Sequence, residues 1–321
     1  MPAITDPPPA AVQAEIQRLR DAIEVAQVPK KQLDQNLIIA TWNIREFGGL
    51  TEKWTSSGND SPKRDLRSLL AIAEIISRFD VVAVQECTVN LKALRHLLKA
   101  LGEHDWGFLL TDVTRGTEGN DERLGFIFDT RRVKLSGLAG EIVVPPEEQS
   151  GITLSRYRAQ FARTPYAVAF KSRDRTFILL TLHVTWGDRS ADRIPELQSI
   201  ADWLAGMAND VASWGHNLIV LGDFNIDRRG DALYNAFTST GLRTHPDFDA
   251  IPRTIFDSGV EHFYDQIAWF TEDGAIPKLS LRYVRGGYFD FVPVLKPAAM
   301  TKASFSFRMS DHYPMWAEFL L

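Results

Sequence analysis

An apolar run, Leu218 to Leu221, ends at Gly222 and gives way to Asp223, Asn225 and Asp227, three polar groups that alternate along the chain. At strand spacing alternate residues project from one side, and a glycine at the strand end permits a bend or a close backbone approach. Taken alone, this stretch reads equally well as an Asp- and Asn-rich loop after a core strand. The same construction recurs, however. Leu37 to Trp42 runs into Asn43, Val81 to Val84 into Gln85 and Glu86, and Phe177 to Leu182 into His183; Tyr264 to Phe270 carries Asp265, and Asp311-His312 precedes the apolar Tyr313 to Leu321. Chance would scatter such groups among faces and loops, whereas a site built on a sheet rim needs them at strand ends. Glu86 and Asn43 offer hard oxygen ligands and no thiolate cluster competes with them. Such a donor set suits Mg²⁺ or Mn²⁺ rather than zinc.

The elements that must position these groups alternate between strand and helix. Strand 37–44, an amphipathic helix over Lys63 to Arg78 (Leu66, Leu69, Leu70, Ala73, Ile76) and strand 81–86 form one β-α-β unit. Strand 176–183, a long helical pattern from Ala191 to Trp214 ending at a Gly215 cap, and strand 218–222 form a second. Leu91 to Leu101 reads as a helix, Leu124 to Phe128 and Ala167 to Phe170 as strands, 145–155 as a mobile loop, and Gly48 to Pro62 as a long functional loop. The two halves repeat one plan, and the mixed pattern predicts a layered α/β sandwich in one domain. Residues 1–10, with four prolines, read as a disordered lead. Ala11 to Val28 places Val12, Ile16, Leu19, Ile23 and Val25 on one stripe, an accessory helix. The boundary therefore falls between 1–35 and a catalytic domain over 36–321.

With 321 residues, 45% of them hydrophobic and 24% charged, the chain can bury a substantial core. A net charge of −5 provides no global basic field, so a polyanion must be met by local arginines or by metal ions. Cys87 is the single cysteine, which excludes an internal disulfide and suits a reducing cytoplasm. No run approaches the ~18 apolar residues of a membrane span, and the N-terminus lacks the regions of a signal peptide. The expectation is a cytoplasmic protein with no evident obligate protein partner; secretion without disulfides is the other option.

Trp42-Asn43-Ile44, Gln85-Glu86, His183, Gly222-Asp223-Phe224-Asn225, Tyr264-Asp265 and Ser310-Asp311-His312-Tyr313-Pro314 resemble, in order and approximate spacing, the motifs of the endonuclease, exonuclease and phosphatase superfamily. The resemblance covers about residues 36 to 321. Within the superfamily the chain is most similar to the deoxyribonuclease I type, through Asn-Ile-Arg-x-Phe-Gly at Asn43 to Gly48, the Glu122-Arg123 pair, and Phe161 to Pro165, which resembles a phosphate-contacting arginine segment. The resemblance implies a four-layer α/β sandwich, two packed mixed β-sheets flanked by helices, and divalent-metal-dependent hydrolysis of phosphate esters.

Hydrolysis of a phosphodiester needs positive charge at the phosphoryl oxygens, an activated water and a proton for the leaving oxygen. The resemblance implies that Glu86, Asn43 and Asp311 lie at the metal, that Asp265 pairs with His312 and Glu122 with His183, and that each carboxylate orients its imidazole and favours the protonated form. One pair would act as base and the other as acid. Asp223 and Asn225 would orient the water and bind a phosphoryl oxygen; Asp227 suits a turn as well as a site. Arg45, Arg123 and Arg163 are candidate phosphate contacts because guanidinium forks match phosphate oxygens, with surface salt bridging as their other reading. Arg131-Arg132 and Arg228-Arg229 read as solvated, and His96, His104, His216, His245 and His262 receive no chemistry. Trp186 and Trp54 could stack on a base or simply pack.

The expected activity is a DNA endonuclease leaving a free 3′-hydroxyl, with nucleic acid as substrate. The rivals are a phosphatase or phosphodiesterase acting on a small or lipid phosphate and a catalytically silent binding module. Two departures bear on duplex DNA. Members of the deoxyribonuclease I type read the minor groove with an arginine two residues after the metal-binding glutamate and a tyrosine two residues before the paired glutamate; Thr88 and Asn120 stand there. His183-Val184-Thr185 and Phe263-Tyr264-Asp265-Gln266 depart from sphingomyelinase and inositol phosphatase patterns respectively.

Overall fold

The computed structural model describes residues 1–115, 119–142, 161, 163–186, 190–212, 217–271 and 279–321. The loop expected at 145–155, the Gly215 cap and His216 lie outside them.

Two six-stranded sheets face each other. The first runs β11 (Arg282–Tyr288), β12 (Met315–Leu320), β1 (Asn36–Phe47), β2 (Val81–Thr88), β4 (Glu122–Asp129), β3 (Trp106–Leu110). The second runs β5 (Lys134–Glu141), β6 (Tyr166–Ser172), β7 (Arg175–His183), β8 (Asn217–Asp223), β10 (Asp265–Phe270), β9 (Leu242–Thr244). Among the described strands only β1/β2 and β7/β8 pair in parallel, and each parallel pair is joined by a crossover helix: α2 (Leu66–Ile76) in one case and α4 (Ser190–Ala212) in the other. Both β-α-β units are therefore present, one at the centre of each sheet.

Helices α1 (Ala10–Val25), α2 and α3 (Lys92–Leu101) cover the outer face of the first sheet, together with the short α6 (Val292–Leu295) and α7 (Lys302–Ser306). Helices α4 and α5 (Ala232–Phe237) cover the second. The result is the expected four-layer α/β/β/α sandwich. Helix α2 starts where Asp65 caps it, its side chain accepting from the Ser68 amide at 2.9 Å; such a cap satisfies an otherwise orphaned donor. Leu66, Leu69, Ile72, Ala73 and Ile76 recur at helical spacing and are buried, which seats α2 on the sheet.

Helix α1 buries Val12, Ile16, Leu19 and Ile23 in the same core as α2, and Arg67 holds Glu15 through two hydrogen bonds of 2.6 and 2.5 Å. The lead before it takes a turn closed by Asp6 N donating to Ala3 O, and Ile4 is buried. One arginine departs from expectation. Arg132 is not solvated: its Nε lies 2.9 Å from the fully buried Asp80, and its Nη2 donates to Asn36 O. Among the described residues no helix is long and apolar enough to cross a membrane.

Candidate active site

The site follows from the two-residue period of the strands. In β1, Leu37 and Ile39 enter the core between the sheets, while Ile38, Ala40, Trp42 and Ile44 face the helices. Continued on the inter-sheet side, the odd positions reach Thr41 and then Asn43. The same parity carries Val81 and Ala83 to Gln85, Phe126 and Leu124 to Glu122, Phe177 and Leu179 to Thr181 and His183, Ile219 and Leu221 to Asp223, and Trp269 and Ile267 to Asp265. Where the apolar filling ends, a polar layer begins. Gln85 donates to Thr181 Oγ1 across the sheets at 2.9 Å and lies 3.4 Å from Thr41 Oγ1, and all three are fully buried. The next layer is the site.

At its centre is Asp223. Its Oδ2 accepts from Asn43 Nδ2 of the opposite sheet at 3.0 Å and lies 3.7 Å from His183 Nε2 and 3.9 Å from His312 Nε2. Its Oδ1 accepts from the Asn225 amide at 2.9 Å. Each imidazole is backed by a carboxylate on its far side. His312 donates Nδ1–H to Asp265 at 2.7 Å, and His183 Nδ1 lies 3.1 Å from Glu122 Oε2, at ion-pair distance though not in hydrogen-bond geometry. Glu122 is held in turn by Arg163 Nε at 2.8 Å and by Asn120 Nδ2 at 2.5 Å.

Burial opposes charge here; at His312, Asp223 and Glu122 the partners outweigh it, whereas at Asp265 burial wins and raises the carboxyl despite His312 and Arg253. Burial would lower the His312 imidazole; the Asp265 carboxylate bonded to it, with Asp223 and Asp311 nearby, holds it well above the ordinary histidine range. Burial would raise Asp223, yet the two imidazoles, the Asn225 amide and the Asn43 amide hold it below the usual carboxylate range. Glu122 is lowered in the same way, its desolvation outweighed by His183, Arg163 and Asn120. A carboxylate thus stays ionised between two rings, and one of those rings is held cationic.

Two oxygen sets could receive a cation. Ligand atoms of Asp223, Asp265 and His312 lie within 4.8 Å of one another, but His312 is hydrogen-bonded to Asp265 and a cationic imidazole has no lone pair to give. The set expected from sequence is Asn43, Glu86 and Asp311, all hard oxygen donors. Asn43 Oδ1 is buried without a hydrogen-bond partner, an acceptor whose desolvation is otherwise uncompensated. Glu86 sits at the irregularity where β2 breaks register with both neighbours, in left-handed backbone (φ 60°), and its Oε2 accepts from the amide of Glu46, also left-handed (φ 45°), at 2.9 Å. Non-glycine residues hold such backbone only where the surroundings enforce it. Asp311 is part-exposed, with Arg45 Nη1 3.5 Å away.

The other sequence candidates are distributed as follows. Arg45 donates to Ser306 Oγ at 2.8 Å and lies over the Phe307 ring, beside Asp311. Arg123 donates to Thr88 O at 2.9 Å, so this candidate phosphate contact is tied to the backbone at one of the two altered groove-reading positions. Arg163 is inside the Glu122 cluster. Asn225 spends its side-chain Nδ2 on Val184 O at 2.6 Å and stands in left-handed backbone, φ 48°. Asp227 is bound by both oxygens to Arg193 at 2.9 and 3.1 Å. Trp54 packs in the helix-side core, whereas Trp186 is 54% exposed.

Several further groups position these side chains, and of them only Arg253 lies outside the sequence motifs. Ser310 Oγ donates to Asn43 O at 2.6 Å and accepts from the amides of His312 and Arg45, tying the Asn43 segment of β1 to the imidazole. Trp42 Nε1 donates to His312 O. Arg253, fully buried, donates Nε to Asp265 O at 2.8 Å. Gly222 (φ 149°) admits no side chain, since a Cβ there would stand 2.2 Å from Leu182 O. Ser310 lies within a recognised motif; Arg253 lies in a loop with no pattern around it.

Comparison with known proteins gives consistent results. The Endonuclease/Exonuclease/phosphatase family profile matches residues 40–274. A curated relative, the "Deoxyribonuclease" of Thioalkalivibrio sp. (strain K90mix), is 26% identical over 306 residues, covering 88% of this chain and 71% of its own. Among solved structures, an endonuclease/exonuclease/phosphatase family protein of Bacteroides thetaiotaomicron superposes with a TM-score of 0.60 at 18% identity, over 89% of this chain and 98% of its own. A mannosyl-6-phosphatase of the same organism gives 0.58 at 18%, over 89% and 100%. D. rerio TDP2 complexed with single-strand DNA product gives 0.56 at 15%, over 88% and 98%. These structures share the fold with this chain.

Proposed function

We propose, from the premise that the chain belongs to the endonuclease/exonuclease/phosphatase family, that it is a divalent-metal-dependent phosphodiesterase acting on DNA as an endonuclease. The observation that carries this reading is the Asp223 carboxylate lying between the Nε2 atoms of two imidazoles, each backed by a second carboxylate. A phosphodiester has two ester oxygens and a poor leaving group, so a proton must be taken from water on one side and given to the leaving oxygen on the other. A site for simple anion binding has no use for two such relays. The curated deoxyribonuclease relative points the same way.

Glu86, Asn43 and Asp311 would hold Mg²⁺ or Mn²⁺, which when bound supplies positive charge to the phosphoryl oxygens. The remaining work falls to the chain. Asp223, kept ionised, accepts a hydrogen bond from water and fixes it opposite the leaving oxygen. His312, kept cationic by Asp265, presents Nε2–H to the phosphate. His183 completes the opposite side, oriented by Glu122. Water oxygen bonds to phosphorus as the P–O3′ bond breaks, His183 taking the water's proton and His312 giving its Nε2 proton to the 3′ oxygen, and the products are a 5′-phosphate and a 3′-hydroxyl. Arg45 and Arg123 stand at the flanks as phosphate contacts.

The test is turnover of supercoiled plasmid, single-stranded DNA, RNA and phosphomonoesters by purified protein, each with Mg²⁺, Mn²⁺ or chelator. Nicking of plasmid with ligatable 3′-hydroxyl ends is the expected result. Intact nucleic acids beside a hydrolysed phosphomonoester would replace this reading with a phosphatase.

A further inference from the structure

Beside the His312 imidazole lies an aromatic hollow that the hydrolytic groups do not use. Trp186, Asp227, Arg228, Glu261, His262 and Tyr264 line it. Tyr264 is the residue before Asp265, and its ring centre is 6.1 Å from that of His312. On Tyr264 the His262 ring is stacked at 4.6 Å and 28°, and the Trp186 ring meets it edge-on at 5.2 Å and 83°. These rings are held firmly. His262 Nδ1 is bonded to the buried Asp257 at 2.6 Å. The Arg193 guanidinium lies over the Trp186 ring at 5.1 Å and is itself fixed by the Asp227 carboxylate and the Asn225 carbonyl. Trp186 nonetheless leaves 54% of its surface in water.

An indole braced by a cation and a second ring, yet left open, is poor core packing and good stacking surface. Asp227 and Glu261 are carboxylates, which accept hydrogen bonds and repel phosphate. Asp227 is already paired with Arg193, and Arg228 adds a cation to the lining, so the selection rests on the open aromatic face, which a flat ring with N–H donors on its edge fits and a phosphate or a lipid headgroup does not use. We infer that Trp186 and His262, set about Tyr264, form a platform on which a nucleobase next to the scissile phosphate stacks, so that the natural substrate is single-stranded or locally unpaired nucleic acid. This deepens the phosphodiesterase reading and rests on it for the identity of the neighbouring phosphate. A base inside a duplex is already stacked and paired and must leave both to reach the platform, whereas a single strand offers its bases freely.

The experiment is fluorescence anisotropy of a labelled single-stranded oligonucleotide, in chelator so that no turnover occurs, alongside the same duplex and an oligonucleotide of abasic spacers. Wild type is expected to bind the single strand most tightly. Trp186→Ala and His262→Ala should each weaken that binding by roughly ten-fold, the scale of one lost base–aromatic stack, with Trp186→Phe retaining most of it and the preference over the spacer strand falling toward one in the alanine variants. If both alanine variants bind like wild type, or if wild type binds the spacer strand as tightly as the base-bearing one, the platform is overturned, even where plasmid is cut. If no nucleic acid is cut but these losses are seen, the platform stands and the phosphodiesterase reading falls.

Discussion

Asn43 Nδ2 and Asp223 Oδ2 meet at 3.0 Å, one from the end of a strand in the first sheet and one from the end of a strand in the second. The bond uses one of the two N–H donors of the Asn43 side chain and leaves its Oδ1, buried without a hydrogen-bond partner, as an open acceptor. A cation bound there and the carboxylate between the imidazoles are therefore coupled through one amide group. The position of each depends on how the two sheets are stacked.

Glu86 offers a hard carboxylate from the irregular segment of β2 and packs little core. Glu86→Gln is expected to lose most metal-dependent activity while its unfolding transition stays close to that of wild type, read by activity against Mg²⁺ concentration and by urea denaturation. Full activity of the wild type in chelator would end the metal assignment.

His183→Ala and His312→Ala should each slow single-turnover cleavage by roughly 10²-fold or more. The double substitution should cost less than the product of the two, because groups serving one transition state are not additive. Asp265→Asn should mimic loss of His312 and Glu122→Gln loss of His183. A wild-type rate in His183→Ala with a dead His312→Ala would leave a one-histidine mechanism.

Acid stability should register Asp129. Its burial would raise the carboxyl, but hydrogen bonds from Arg131 and Lys31 hold it down to about 2. A carboxyl lowered on folding stabilises the native state above its unfolded pKa, roughly 4, and loses that contribution as pH falls toward about 2. Urea midpoints measured from pH 7 to pH 2 should therefore fall through this window, and Asp129→Asn should flatten the fall.

Helix α1 brings no residue to the site, yet buries Val12, Ile16, Leu19 and Ile23 against α2 and pairs Glu15 with Arg67. Removal of residues 1–30 is expected to leave the turnover number near wild type at low temperature while lowering the thermal midpoint. Loss of activity in a truncated protein that still shows a cooperative transition would tie the helix to catalysis.

The amino-acid sequence determined the parity of the strands, and with it the side on which each polar group stands. Leu37, Ile39 and Asn43, or Ile219, Leu221 and Asp223, share a face because a strand repeats every two residues, which local sequence records directly. The edge strands β3, β5 and β11 escaped notice for the same physical reason: their exposed residues show no buried run. Pairings between distant segments were equally unreadable. Arg132 with Asp80, Arg253 with the Asp265 carbonyl and Arg193 with Asp227 are charges that look like surface until the fold closes around them. Only the tertiary structure decided that Asp223, paired in register with His183 on the neighbouring strand, would also face His312, since that second distance depends on the separation of two sheets, which is fixed by the volume of the side chains packed beneath them.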